Sequence, residues 1–321
     1  MMTLTVNWQR FQSFSESKTG LVKICKPLFG LGIWFAFFWH PAFATSLRYC
    51  DQPASLSITQ QDKLLRFSEV VKAELQASGR SLALISRSGL DLSRFNTRYS
   101  HSGISLQASP NTPWSIRQLY YACDEGKPKI FDQGMAGFVM GTDSPALGYI
   151  SVVLLSEAAE KPLEIAVLNN SNALALLNAK YSANAYPFSQ KYQNCNQWVI
   201  EILATAIGAL TVNDNPRLQA QSWLKENGYL PSLMEVGSRF LMAVGAFISM
   251  IHSDDHPESD LEKQRYQVSM PAAIEAFARL KYPQAERLEF CHNERQIVIH
   301  RGWEPIKDGC VASEGDTVLI F

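Results

Sequence analysis

The heptapeptide Tyr192-Gln193-Asn194-Cys195-Asn196-Gln197-Trp198 leads into an apolar stretch, VIEILATAIGAL. A thiol at the start of a helix feels the positive end of the macrodipole, which favours the thiolate and therefore nucleophilic attack. Such a thiol needs a base within hydrogen-bond reach. His101 is the candidate base: it opens the strand-like HSGISL, where Ser102 and Gly103 leave little bulk beside the imidazole. An oxyanion would be met by the backbone N–H of Cys195 and by a nearby amide, for which Asn194, Gln193 and Asn196 stand close in sequence. Each residue also has a plainer use. Asn at a helix boundary commonly caps it, Cys195 would serve as an inert buried thiol or a disulfide partner, and His101 as a core histidine bonded to backbone.

The elements that must position these groups are readable from periodicity. Residues 60–78 place Leu64, Leu65, Phe67, Val70, Val71 and Leu75 at helical spacing, and Gly79 stops the run. Strand-like runs follow at 82–86, 101–106 and 114–121; the last two flank the turn-rich QASPNTP and predict an antiparallel hairpin. Another strand is expected at 149–155 and a helix at 162–177. The helix that begins near Asn196 has a broad apolar face and is expected to be mostly buried. A further helix opens at Pro216. Residues 231–251 end in the apolar run FLMAVGAFISMI, too short to span a bilayer and read as a core helix. The tail from Gln267 alternates strand, helix and three strands.

Composition bounds the function. In 321 residues, 46% are hydrophobic and 18% charged, and 29 basic residues nearly cancel 30 acidic ones. A globular chain follows, with no basic surface for nucleic acid. Residues 1–44 read as a secretory signal peptide: four basic residues, the apolar run 28–39, Pro41, and the small-x-small Ala42-Phe43-Ala44. The alternative is an uncleaved anchor, for which the apolar run is short. The mature protein is expected to be periplasmic or secreted, mildly acidic and without a stable transmembrane span. Cys25 lies in the signal segment, so Cys50, Cys123, Cys195, Cys291 and Cys310 remain in an oxidising compartment, an odd number. Sequence alone does not fix the connectivity, but Cys291 with Cys310 would enclose a short loop between strand-like segments and Cys50 with Cys123 would tie the mature N-terminus to the core, leaving Cys195 over. His252, Asp254, Asp255 and His256 are metal-ligand types, but Pro257 and the polar surroundings indicate a solvated loop, so no metal is assigned; no nucleotide motif is present and no cofactor is expected.

A strand beginning His-x-Gly-Ile, followed about ninety residues later by Asn-Cys-Asn at a helix start, resembles the circularly permuted papain-like superfamily of NlpC-related hydrolases and acyltransferases. Its members include proteins similar to lecithin:retinol acyltransferase and the deSUMOylating PPPDE group. With SRSGLDL, RYSHSGIS and YPFSQKYQNCNQWVIE, residues 50–260 also resemble the exported bacterial family called domain of unknown function 2145. The resemblance implies an α+β fold with a permuted papain-like core, an antiparallel sheet packed on the Cys-bearing helix, with additional helices. It implies too a residue that orients the imidazole from the strand after His101, where Gln118 is preferred to Arg117, because an amide oxygen accepts the ring N–H and a guanidinium repels the imidazolium.

The expected organisation is a signal peptide at 1–44, a permuted papain-like α+β domain at 45–251, a polar linker or loop at 252–263 and a C-terminal α/β element at 264–321, packed on the main unit or forming a second subdomain. The expected activity is that of a thiol hydrolase or acyltransferase acting on an envelope amide, ester or thioester. The alternative is a non-catalytic binding or scaffold protein on the same fold. Substrate and oligomeric state are not readable from the sequence.

Overall fold

The computed structural model describes residues 56–142, 144–211 and 214–321. The signal-peptide segment and Cys50 lie outside the described residues.

Ser57 starts the first helix, α1 (Ile58–Ala77), with a capping box: its side chain accepts from Gln60 N and the Gln60 side chain accepts from Ser57 N. Its apolar stripe, Leu64, Phe67, Val71 and Leu75, is buried. The chain continues through β1 (Leu82–Arg87), β2 (His101–Leu106), β3 (Ser115–Ala122), β4 (Lys127–Gln133), α2 (Met135–Met140) and β5 (Gly148–Leu154). Then come α3 (Glu157–Leu168), α4 (Asn170–Ala175), α5 (Cys195–Ile207), α6 (Pro216–Glu226), β6 (Ser232–Glu235), α7 (Arg239–Gly245) and α8 (Glu258–Glu262). The tail supplies β7 (Arg265–Val268), α9 (Pro271–Lys281), β8 (Glu286–His292), β9 (Gln296–Arg301) and β10 (Thr317–Ile320).

Eight strands form one antiparallel sheet in the order β10-β9-β8-β5-β1-β2-β3-β4. Each central strand has one side-chain parity on each face. Leu82, Leu84, Ile104, Leu106, Leu119 and Val153 share a core with α3, α5, α6 and α9. Ala83, Ile85, Ile116, Ile150 and Val152 share the other core with α1 and α2. Both faces of the sheet centre are therefore covered, which is why β1 and β5 are buried at every position.

The protein is thus an α+β chain, and the hairpin of β2 and β3 forms as the sequence indicates. Four expectations need correcting. The C-terminal α/β element at 264–321 joins the main sheet rather than forming a second subdomain: β8 pairs with β5, so the tail strands extend that sheet, while β7 pairs with β6 in a two-stranded ribbon. The 252–263 linker is docked rather than solvated: His256 Nε2 donates to Asn184 O at 2.7 Å, Asp255 accepts from Tyr186 N, and Asp260 is buried against Arg265 and Gln267. The single helix at 162–177 starts earlier and divides at Asn169, whose side chain caps α4 by accepting from Ser171 N and Asn172 N.

The fourth concerns 231–251. Gly237 adopts φ +68°, a turn that ends the β6 strand, and only the short α7 follows. Far from being a core helix, this segment leaves Phe240 74% and Phe247 89% exposed.

Cys291 and Cys310 are joined in a disulfide. Cys123 is also disulfide-bonded, and Cys195 is the free cysteine among the described residues.

Candidate functional site

Asn194 caps α5: its Oδ1 accepts from Gln197 N at 2.7 Å, and its Nδ2 donates to Ala183 O and Ser269 O. That cap sets Cys195 at the first helical position. The N–H groups of Cys195 and Asn196 and the Tyr181 hydroxyl are directed at its sulfur. The N–H pair is the kind of donor that a developing oxyanion beside the sulfur would use.

Burial decides the protonation of this thiol. It pushes the Cys195 thiol up to about 11, against the Asn196 N–H, the Arg87 charge, the Tyr181 hydroxyl and the residue's own N–H, all of which favour the thiolate. The helix terminus acts in the expected direction, but desolvation wins. The resting sulfur is a neutral thiol.

His101 pairs with Arg87 across β1 and β2, and its Nε2 is hydrogen-bonded to Gln118 Oε1. The Gln118 amide nitrogen donates to Gln133 Oε1 at 2.7 Å, which turns the amide oxygen toward the ring. An amide oxygen only accepts, so in the neutral ring Nε2 carries the proton and Nδ1 the lone pair. Arg117 lies on the other face of β3, where it is bonded to Asp132 and to Val167 O.

Strand parity decides which side chain of β2 meets α5. On β2 it is Ser102 that faces α5, donating to Asn196 Oδ1 at 2.8 Å. His101 points to the opposite face, with its ring 6.0 Å from that of Phe138 on α2. Tyr181 and the two N–H groups are hydrogen-bond donors at the sulfur.

Both nevertheless line one cavity of about 370 Å³ at this end of the sheet, together with Arg87, Tyr181 and Asn196. Of the three positioning candidates, Asn196 alone borders it, with Nδ2 donating to Ser100 O at 3.1 Å. Gln193 is turned away: its side chain is buried and bonded to Asn178 N, Leu176 O and Glu201. Asn194 is spent on the cap and two carbonyls. Sequence reading gave no role to Arg87, although it lies within SRSGLDL, or to Tyr181; the fold brings both to this end of the sheet. It also missed the 234–251 wall, whose apolar run carries the same signal as a core helix.

The metal-ligand types at 252–256 are taken up by their neighbours, His256 Nε2 lying 3.6 Å from Asp255 Oδ1. His252 stacks on Tyr192 with ring centroids 4.4 Å apart, Asp254 pairs with Lys191, and His256 with Asn184 O.

Gly103 holds the His101–Gln118 contact open. A Cβ there would lie 2.4 Å from Ile116 Cγ2, 3.0 Å from Arg117 O and 3.2 Å from Gln118 Cβ. Gly103→Ala is expected to cost about 1–3 kcal/mol in urea unfolding through overpacking. It is also expected to displace the Gln118 amide from the ring. An alanine variant as stable as the native chain would show that β3 gives way freely.

These features define an α+β protein with a free, buried cysteine at a helix N-terminus, opening on a cavity shared with an oriented histidine. Residues 74–278 match the family described as uncharacterized protein conserved in bacteria (DUF2145), and the chain belongs to that family. The match runs from the end of α1 into α9 and so includes both Cys195 and His101. No curated protein and no solved structure matches this chain.

Proposed function

We propose that this is an exported thiol hydrolase or acyltransferase of permuted papain-like type, with Cys195 as nucleophile and His101 as general base and then acid. The observation that carries this reading is the sharing of one cavity by the sulfur and an imidazole whose tautomer is set by Gln118. Because the resting thiol is neutral, attack is base-assisted rather than that of a standing ion pair.

As the sulfur–carbon bond forms, the thiol proton passes to His101 Nδ1. The developing oxyanion is met by the N–H groups of Cys195 and Asn196. The bond from acyl carbon to leaving group then breaks, and the imidazolium returns its proton to the leaving amine, alcohol or thiol. Water or an acceptor next attacks the acyl-enzyme through His101, and the proton ends on the Cys195 sulfur. Sulfur and ring enter the cavity from the two faces of the sheet end, and their contact tightens when substrate binds, as hydrogen bonds in ligand-free sites commonly do.

The substrate class is an amide, ester or thioester of the cell envelope. The sequence character of residues 1–44 supports export, as do the bonded cysteines Cys123, Cys291 and Cys310, since disulfides persist in oxidising compartments.

The test is intact-mass detection of an acyl adduct after brief exposure to an acyl thioester at neutral pH. The adduct is expected on native protein and absent from Cys195→Ser and His101→Ala. If Cys195 is acylated only after denaturation, the reading fails. In parallel, iodoacetamide alkylation of Cys195 should rise with pH toward a midpoint near 11. A shoulder near neutrality would instead mean a preformed thiolate. The same raised value stabilises the fold fully below the ordinary cysteine range near 8.5, and that contribution is lost as pH rises through about 11.

A second reading, a binding protein that performs no chemistry, is favoured by one observation: the sulfur is buried, and that burial pushes its thiol up. It predicts ligand uptake with no adduct.

A further inference from the structure

The cavity lining is of two kinds. Arg87, His101, Cys195 and Asn196 form a polar group, while Met242, Val244, Ile248 and Ile251 line an apolar wall formed by the 234–251 segment. Asp91 and Arg94, both exposed, are the other charged residues on the lining. Its volume, about 370 Å³, is that of a small-molecule pocket.

An extended peptide lying along this wall would need backbone partners to pair with. The wall has few to give: Met242 N, Ala246 N, Phe247 N, Ile248 N and Ile251 N all bond to carbonyls within the segment. What the wall does present is aliphatic and thioether surface. On its outer side Phe240 and Phe247 are exposed, so the apolar lining continues onto the protein surface.

Resting on the reading of Cys195 as the group that accepts the acyl carbon, we propose that the acyl group is a long alkyl chain. The chain lies along the 234–251 wall with its carbonyl at Cys195. The wall is what selects it: each methylene added to the chain leaves water for apolar contact, whereas the polar groups fix only the head. The donor is either a soluble acyl compound or a lipid in a bilayer, since the exposed phenylalanines beside the wall suit entry from a lipid surface.

Binding is measured calorimetrically on the Cys195→Ser protein, so that covalent capture plays no part, with laurate and hexanoate as probes. Laurate is expected to bind at least about tenfold more tightly than hexanoate, with a negative heat-capacity change. Val244→Lys, and independently Ile248→Lys, should remove that preference in protein whose circular dichroism is native. Equal affinity for the two probes, or a preference that survives both substitutions, overturns the proposal. Either result leaves the thiol reading to be judged separately by the acyl adduct.

A sedimentation arm with phosphatidylcholine vesicles separates the sources. Co-sedimentation lost in Phe240→Ser/Phe247→Ser, with laurate binding retained, supports a bilayer donor; laurate binding without co-sedimentation supports a soluble one.

Discussion

Cys195→Ala is expected to lower kcat/KM for a long-chain acyl thioester by about 10⁴-fold or more, the scale on which loss of a nucleophile that works with its base is felt. His101→Ala should cost about 10²–10⁴-fold, the usual worth of a positioned acid–base group. The informative quantity is the double variant. If sulfur and imidazole act as one unit, Cys195→Ala/His101→Ala loses no more than Cys195→Ala alone, because a base without its nucleophile has nothing to serve. Gln118→Ala should fall less, by about 10–100-fold, since it acts only by holding the ring. Gln118→Glu should recover part of that loss, because a carboxylate also accepts from Nε2. Hydrolysis that survives Cys195→Ala would end the nucleophile assignment. Strict additivity of the two substitutions would mean that His101 serves some other step.

The candidate site was partly legible because its local features are local in sequence. A cap, a cysteine and an apolar helix stand side by side at 194–207, and a strand–turn–strand signal surrounds His101 and Gln118. What was not legible depends on which face a residue occupies. Position 102 rather than 101 faces α5, and a strand run that is buried on both sides carries no polar alternation by which to tell the faces apart. The tail strands read correctly as strands, yet nothing in 286–292 indicates that they pair with β5 more than a hundred residues away. The run at 240–251 misled for a different reason. Apolar composition predicts burial, but a wall that lines a cavity needs the same composition while remaining half open to solvent. Arg87 and Tyr181 show the limit most plainly, since the charge of one and the hydroxyl of the other act on the sulfur only once the sheet and the loop before α5 have formed.

That loop is held by one buried charge network, and its removal carries the largest expected stability effect. Glu201 on α5 is fully buried and accepts from Arg217 Nε at 2.9 Å and Nη2 at 3.1 Å. Three amides also donate to it: Gln193 at 2.6 Å, Gln197 at 3.1 Å and Gln221 at 2.7 Å. Arg217 in turn donates to Tyr192 O at 3.1 Å, so the chain just ahead of Cys195 is tied to α5 and α6 together. Arg217→Ala strands a buried carboxylate and is expected to cost about 3–5 kcal/mol in urea unfolding. Glu201→Ala should cost at least as much, because it strands the guanidinium and three amides at once. A buried ion pair can often be exchanged for apolar residues with little loss, but here the amides make that exchange poor. Arg217→Met/Glu201→Leu is therefore expected to recover less than half of the Arg217→Ala deficit. Fuller recovery would mean that Gln193, Gln197 and Gln221 find other partners, and that the loop before Cys195 is held by packing rather than by this carboxylate.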